Sequence, residues 1–347
     1  MTEPRIDRSL FRTYWTVLSR CRRAPLLLYG VLFACFGLSL YLLGVATVVP
    51  RYLFGLNAVL LRPTEWLVWY SGLPLVTGVG LALIDLFILF RGKRRPAGLR
   101  YDPVPAPSIT VALTAYNDED SIAEAVRDFL SHRLVRQVIV VSNNSADATF
   151  ERAAAAGAIT FNEPLQGYGR CVYRSLSEAV RLHGDGLIAL CEGDRTFRAY
   201  DLDKLVAYIA HADIVNGTRT VEGLRQFSTQ LSTFMYYGNL FVGKLLEAKH
   251  LGRGTITDVG TTYKLCRAEP LERLLPALNS AINLEFNAHF LDIALQEGHV
   301  VVECPITFHA RVGESKGGNT NNLRAFQVGC RMIAGVVLGW RSKGTIP

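Results

Sequence analysis

The chain has 347 residues, 50% of them hydrophobic, with a net charge of +7 at neutral pH and a mean hydropathy of +0.20. That length holds one large catalytic domain and a membrane element, and the apolar fraction is high for a purely soluble protein. The charge is dominated by arginines flanking apolar stretches and no interleaved aromatic and basic stripe occurs, so anionic lipid head groups explain it and nucleic acid is excluded as a partner.

Residues 1–24 form a basic amphipathic segment in which Leu10, Phe11, Tyr14, Trp15 and Leu18 interleave with Arg8 and Arg12. It reads as a helix lying on a bilayer or packed on a globular neighbour. Residues 25–49 and 66–84 carry no charge, and apolar character resumes to residue 90. Each stretch can cross a hydrocarbon core about 30 Å thick, which takes roughly 20 helical residues. Residues 25–90 are therefore expected to be a transmembrane hairpin with spans 25–49 and 66–90. The first run is too long and too far from the start to be a cleaved signal peptide. Arg5, Arg8, Arg12, Arg20, Arg22 and Arg23 precede the hairpin, Arg91, Lys93, Arg94, Arg95 and Arg100 follow it, and only Arg51 and Arg62 lie between. The positive-inside rule puts both termini in the cytoplasm and Trp66, Trp69 and Tyr70 at the outer interface. The expectation is a multi-pass protein of a bacterial-type inner membrane with its catalytic domain in the cytoplasm. Asp85, the one acid in the second run, meets a head group or a catalytic-domain arginine, or pairs within the hairpin.

A linker over residues 91–107, rich in proline, leads to a domain over residues 108–318 in which strand-like and helix-like patterns alternate. Strands are expected at 108–114, 137–141, 158–161, 186–190, 263–266 and 299–308. Helices are expected after the cap at Asp120 or Ser121 and over 146–156, 169–182, 229–248 and 285–296. Apolar strands separated by helices imply an α/β fold with a mostly parallel, Rossmann-like sheet. Residues 319–347 hold an amphipathic C-terminal helix, with Leu323, Phe326, Cys330, Ile333, Val337 and Trp340 on one face, suited to the bilayer surface or to a globular core. The seven cysteines show no C-x-x-C spacing, which indicates neither a zinc site nor a disulfide framework and fits a reducing compartment.

In a parallel sheet ligands bind beyond the carboxyl ends of the strands. Tyr116-Asn117, residues 142–147 and Glu192-Gly193-Asp194 fall at such ends. Two carboxylates one residue apart at a strand end can approach one cation or one polar ligand, although such triplets also occur on solvated loops. If residues 299–311 are extended, His309 and Arg311 share a face, and His309 is then a third metal ligand or a hydrogen-bonded structural histidine. Asp258 binds sugar hydroxyls or makes an Asx turn. Glu285 contacts the sugar or caps its helix, and Arg170 and Arg174 belong to a solvated helix face or to a phosphate site.

The segments Thr114-Ala115-Tyr116-Asn117-Asp118-Glu119, 140–149, Gly167-Tyr168-Gly169, Glu192-Gly193-Asp194 and 311–316, in that order, resemble family 2 glycosyltransferases of the GT-A fold, in particular the dolichol-phosphate mannose synthase-like and bacterial polyprenyl-phosphate sugar synthases. The resemblance covers about residues 108–341. It implies a nucleotide-diphosphate sugar donor, Mg²⁺ or Mn²⁺ on the diphosphate, and an inverting transfer to a lipid phosphate. Tyr116, Asn117 and Asp118 would border the nucleotide pocket, with Thr114, Asn144 and Gly193 beside them and Asp147 shaping it. The Gly167-Tyr168-Gly169 turn would let backbone approach the nucleotide. Asp194 would bind the metal, Glu192 the metal shell or the ribose. Arg219 would meet the acceptor phosphate, and Arg311 and Lys316 would form a basic lid. Relatives carry aspartate where Ser142 stands, aspartate where Glu192 stands, and an arginine–serine pattern that residues 231–235 lack.

The reading that results is a membrane-anchored hexosyltransferase using a polyprenyl phosphate. A glycosyltransferase acting on a lipid-linked saccharide or glycolipid in cell-envelope synthesis is one alternative, and a catalytically degenerate membrane scaffold or sugar-nucleotide sensor is another. The sequence leaves the sugar, the nucleotide and self-association into a homo-oligomer open.

Overall fold

The computed structural model describes residues 24–89, 100–183, 186–226, 229, 231–313 and 322–340. The chain divides into two compact units, Met1–Pro96 and Ala97–Pro347.

The described part of the first unit is helical: α1 (Leu26–Ala46), α2 (Val48–Leu53), α3 (Asn57–Tyr70) and α4 (Gly72–Leu83), the last running into a π-helical turn, Ile84–Leu89. Leu26–Leu53 and Asn57–Leu89 are each long and apolar enough to cross a membrane, by length and composition. The second begins at Asn57 rather than at residue 66, because Arg62, Pro63 and Glu65 interrupt the apolar run without ending the helix. Glycines set the approach of α1 and α4: a Cβ on Gly30 would lie 2.6 Å from the Gly78 carbonyl oxygen, and one on Gly37 2.7 Å from the Leu75 nitrogen. Asp85 is wholly buried, and its Oδ2 accepts the Leu27 N–H at 2.7 Å. Among the described residues this is a pairing within the hairpin, and it satisfies a donor that the first turn of a helix leaves orphaned.

In the second unit the elements are β1 (Ile109–Ala115), α5 (Ile122–Leu130), β2 (Val135–Ser142), α6 (Thr149–Ala155), β3 (Ile159–Asn162), α7 (Tyr168–His183), β4 (Leu187–Glu192), α8 (Leu202–Ile209), β5 (Ile214–Thr218), α9 (Thr233–Lys249), β6 (Lys264–Arg267), α10 (Ala268–Leu274), α11 (Phe286–Gln296), β7 (Val301–Pro305) and α12 (Asn322–Leu338). One seven-stranded sheet runs β3-β2-β1-β4-β6-β5-β7. β1 pairs parallel with β2 and β4, and β2 with β3. β6 lies antiparallel to β4 and β5, and β5 is parallel to β7. The sheet is thus mostly parallel with one reversed strand. Alternation along β1 divides the interior: Ala112 joins the core with Val172 and Leu176 of α7, and Val111 and Leu113 join that with Ile122 and Phe129 of α5.

Four elements differ from expectation: α8 and α10 add helices at residues 202–209 and 268–274, and two strands depart from the expected pattern. β5 went unpredicted because Asn216, Gly217 and Thr218 give it half a polar sequence; Asn216 is nevertheless buried, donating to the Asp258 carbonyl at 2.9 Å and to Glu303 Oε1 at 3.1 Å. The last strand ends at Pro305, so the two-residue alternation that would align His309 with Arg311 does not reach them.

α9 and α12 both expose aromatic and aliphatic groups. Phe234, Tyr237 and Phe241 are exposed on α9, which buries Val242 and Leu246. On α12, Leu323 and Phe326 are exposed while Val328, Met332 and Val336 enter the core, so that helix carries a second apolar stripe besides the one read from its sequence. Phe234 and Phe326 lie 6.4 Å apart. The other ends of the pair are fastened at buried Asp292, whose Oδ2 accepts Lys249 Nζ at 2.7 Å and Trp340 Nε1 at 2.6 Å, and whose Oδ1 lies 2.6 Å from His250 Nε2.

Candidate functional site

The carboxyl ends of β1, β2 and β4 open side by side, with Thr114 in register with Glu192 and Ala115 with Ser142. They floor a cavity of about 860 Å³. Thr114, Tyr116, Asp118, Gly167, Glu192, Asp194, Arg219 and Arg311 all line it. Lys316 lies outside the described residues.

The loops that bring these side chains together are tied by polar groups of the same motifs. Asn117 and Asn144 take left-handed backbone conformations, φ 50° and 54°, which asparagine tolerates better than most residues. Asn117 accepts the Ala146 N–H on Oδ1 at 2.8 Å and donates its own N–H to Ser145 at 3.0 Å. Asp147 Oδ1 accepts the Thr149 N–H at 3.1 Å, and its Oδ2 the Glu119 N–H at 3.2 Å. Ser142 and Ser145 share a hydroxyl bond of 2.9 Å. Asn144 points to solvent, and its neighbour Asn143 lines the cavity, its Oδ1 accepting Gly167 N–H at 3.2 Å.

Two glycines serve packing. A Cβ on Gly193 would come 2.5 Å from Ile122 Cδ1, and one on Gly169 1.7 Å from the Ile282 carbonyl oxygen. Gly169 therefore lets α7 seat against the loop before α11, whereas Gly167, with φ 152°, is the glycine on the cavity wall.

Asp194 is 1% exposed. Its Oδ1 is filled by the Thr196 N–H at 3.0 Å and hydroxyl at 2.6 Å. Its Oδ2 has no hydrogen-bond donor among the described residues and faces Arg311 Nε at 3.3 Å. The same guanidinium reaches Asp118 Oδ1 at 3.5 Å. Burial lowers the Arg311 pKa, but Asp194, Glu192 and Asp118 outweigh it and hold the arginine charged. Glu192 accepts the Thr262 hydroxyl at 2.6 Å; burial first, then the neighbouring charge of Asp194, push its pKa up to about 7. Two like charges in a buried site raise the cost of ionising both, which a cation relieves.

Arg219 and Asp258 form a two-pronged pair, Nε to Oδ2 and Nη2 to Oδ1 both at 2.7 Å, and Asp258 also accepts the Arg219 N–H at 3.0 Å. Burial pushes Asp258 up, but the arginine's charge and hydrogen bonds win and hold its carboxyl below the usual range. Asp258 does not line the cavity; its carboxylate positions the arginine that does. Glu303 sets this loop in turn, accepting the N–H groups of Thr257 at 2.8 Å and Asp258 at 3.1 Å.

His309 turns away from Asp194: its ring Nε2 is 2.7 Å from the Tyr200 hydroxyl. The third-ligand role does not suit that geometry, because the segment after β7 is bent, with the His309 N–H on Thr196 and the Val312 N–H on Asp194 carbonyl oxygens. Glu285 is buried and paired with Arg331, and Arg174 lies on a surface face with Glu178 at 2.8 Å.

Part of the cavity wall is apolar, formed by Phe234, Phe241 and Val242 of α9 and Phe326, Val328 and Met332 of α12. Tyr168, Thr262 and Asn287 also line the cavity. Tyr168 sits inside a glycine motif and Thr262 in a polar turn, both visible in sequence; Asn287, on a helix with no local signature, is not.

Residues 110–275 match the family model Glycosyl transferase family 2. Among curated proteins the chain is similar to a low-salt glycan biosynthesis hexosyltransferase of Haloferax volcanii, Agl6, with 28% identity over 66% of this chain and 52% of that one. It therefore spans about half the length of that relative. It is also similar to a dolichyl-phosphate hexose transferase of the same organism, with 27% identity over 60% of this chain and 86% of that one. Among solved structures, a mycobacterial protein is 19% identical with a TM-score of 0.50 over 68% of this chain and 76% of that one, a likeness of fold.

Proposed function

Since residues 110–275 are a glycosyl transferase family 2 domain, we propose that this glycosyltransferase is anchored in a membrane and moves a hexose, with inversion, from a nucleotide-diphosphate sugar to a polyprenyl phosphate on the cytoplasmic face. The observation that carries the proposal is one cavity lined both by charged groups, Glu192, Asp194, Arg219 and Arg311, and by aromatic and aliphatic groups of α9 and α12. A sugar diphosphate and a lipid phosphate are substrates whose chemistry matches those two kinds of lining. The names of the two Haloferax relatives support the hexose, and that of the second a polyprenyl-type phosphate acceptor.

The residues present suit a divalent cation. The open oxygen of Asp194 and the raised pKa of Glu192 beside it mark a place of surplus negative charge. Among the described residues no three His, Cys, Asp or Glu side chains converge on one point. Mg²⁺ held by one or two carboxylates and completed by substrate phosphates needs no more than this pair. Once bound, such a cation neutralises charge growing on the departing diphosphate. Arg311 already faces Asp194 and Asp118 and can shift to a phosphate by rotating its side chain, where a charge-assisted bond forms. Arg219 keeps a fixed orientation because Asp258 holds Nε and one terminal nitrogen, leaving its other terminal nitrogen outside the pair. A phosphate acceptor is anionic before reaction, so no strong general base is required of the chain.

Membrane anchoring rests on the two apolar helical stretches and on the exposed aromatic residues of α9 and α12. The test is a panel of sugar nucleotides supplied to the purified protein with undecaprenyl phosphate and Mg²⁺ or Mn²⁺. One sugar nucleotide should yield a glycolipid carrying a single sugar. Transfer to a lipid-linked saccharide, with polyprenyl phosphate inert, would overturn the acceptor assignment.

A further inference from the structure

Asn287, Tyr168 and Thr262 are joined in a chain of hydrogen bonds that ends on Glu192. Asn287 Nδ2 reaches the Tyr168 hydroxyl at 2.9 Å, that hydroxyl lies 2.5 Å from Thr262 Oγ1, and Thr262 Oγ1 lies 2.6 Å from Glu192 Oε1. Proton counting gives the chain one direction when Glu192 is ionised, the form that holds a cation. Its carboxylate then only accepts, so Thr262 spends its single proton on Glu192, Tyr168 gives its own to Thr262, and the Tyr168 oxygen accepts from the amide. The amide is oriented in turn: Asn287 Oδ1 faces Lys264 Nζ at 3.5 Å, while Nδ2 also donates to the Gly260 carbonyl at 3.1 Å. Burial, and then the charge of Glu192, raise the Tyr168 pKa, which keeps the proton this direction requires. Three segments far apart in sequence thus form one chain that ends, through Thr262, on one oxygen of one cavity-lining carboxylate.

We propose that Tyr168, Thr262 and Asn287 are positioning residues for the cation site: they fix Oε1 of Glu192 so that the carboxylate stands beside Asp194 in the orientation a shared cation needs. This rests on the cation reading of Glu192 and Asp194. Outer partners that orient a ligating carboxylate are worth about 10–100-fold in metal affinity.

The experiment is Mn²⁺ binding, without donor, to the full-length protein in lipid nanodiscs, followed by the electron paramagnetic resonance signal of free Mn²⁺. Thr262→Val keeps shape and removes the donor; its Kd for Mn²⁺ should rise by about 10-fold or more. Thr262→Ser keeps the hydroxyl and should bind as the wild type does. Tyr168→Phe should weaken binding by a smaller factor, since Thr262 keeps its bond to Glu192 and the one from Asn287 Nδ2 at 3.3 Å but loses the Tyr168 hydroxyl; this variant also serves if the valine protein fails to fold. Melting temperatures taken on the same samples separate loss of binding from loss of fold. Binding lost in Asp194→Asn but unchanged in folded Thr262→Val and Tyr168→Phe overturns the positioning role and leaves the cation site standing. Binding absent from the wild type, or equal in Asp194→Asn, overturns both.

Discussion

Replacing Asp258 by asparagine should destabilise the second unit more than a change of one atom suggests. The carboxylate is 1% exposed and Arg219 6%, and four hydrogen bonds end on it: two from the guanidinium at 2.7 Å, one from Arg219 N at 3.0 Å and one from Gly260 N at 3.2 Å. Asparagine keeps one acceptor oxygen and puts donors where the second was, facing a buried cation. Removing one partner of a buried pair costs about 3–5 kcal/mol because the other charge is left uncompensated. For a domain of this size that is a fall in melting temperature of roughly 6–20 °C. Intrinsic tryptophan fluorescence on heating measures it, and Arg219→Met added to Asp258→Leu should recover part of the loss, because no lone charge remains. The folded pKa of Asp258 is depressed below its ordinary 3.8. Its contribution is therefore complete above that value and lost as pH falls through the lower folded pKa. The gap between wild type and Asp258→Asn should stay constant from pH 6 to 8 and narrow only in acid. A variant that melts within about 1 °C of wild type would refute the reasoning, since it would mean the pair contributes less than a surface salt bridge does.

Other outcomes follow from the same geometry. Gly169→Ala should lower stability by about 1–3 kcal/mol or more, the range for overpacking, because its Cβ would meet the Ile282 carbonyl oxygen at 1.7 Å; an unchanged melting curve would contradict this. Burial pushes the Cys171 thiol up to about 12, so at pH 8 iodoacetamide should modify exposed Cys330 and spare Cys171, as peptide mass spectrometry can read; equal labelling would contradict it. Phe241→Asp with Phe326→Asp puts two charges on the apolar wall and should raise the KM for polyprenyl phosphate about 10-fold or more, at roughly 1–3 kcal/mol for each exposed aromatic side chain that a bound lipid would cover, leaving the KM for the donor unchanged. A matching rise in both KM values would show that the wall does not belong to the acceptor site.

The parallel half of the sheet is legible in the sequence because β1, β4 and β2 from Val138 onward are buried on both faces and read as mostly apolar runs ending in polar clusters. β5 is hidden because the buried Asn216 amide nitrogen and Thr218 hydroxyl find partners more than 35 residues away, Asp258, Glu303 and Thr257, which no local pattern contains. The second apolar stripe of α12 is hidden for a related reason: Val328, Met332 and Val336 look like polar-face filler until α9 and α11 are packed on them. Within the site, motif order brings out Tyr116, Asp118, Asp194, Arg219 and Arg311, which face the cavity. It does not distinguish them from Asn117, Asp147, Gly169, Gly193 and Asp258, which build the loops and hold the arginine. Both kinds of residue share the same short segments, and only the hydrogen-bond partners separate them. The relay through Asn287 depends on one residue of a buried helix and has no sequence signal of its own.

The most direct measurement of the central claim is the product made by wild type and by Asp194→Asn from a radiolabelled sugar nucleotide, polyprenyl phosphate and Mn²⁺ in nanodiscs, separated by thin-layer chromatography before and after mild acid. The account predicts a single sugar on polyprenyl phosphate, released by mild acid, formed by wild type and reduced by about 100-fold or more in Asp194→Asn, the size of effect seen when transition-state charge loses its stabilising partner. Equal product from both proteins, or label found only on a lipid-linked saccharide, would contradict it.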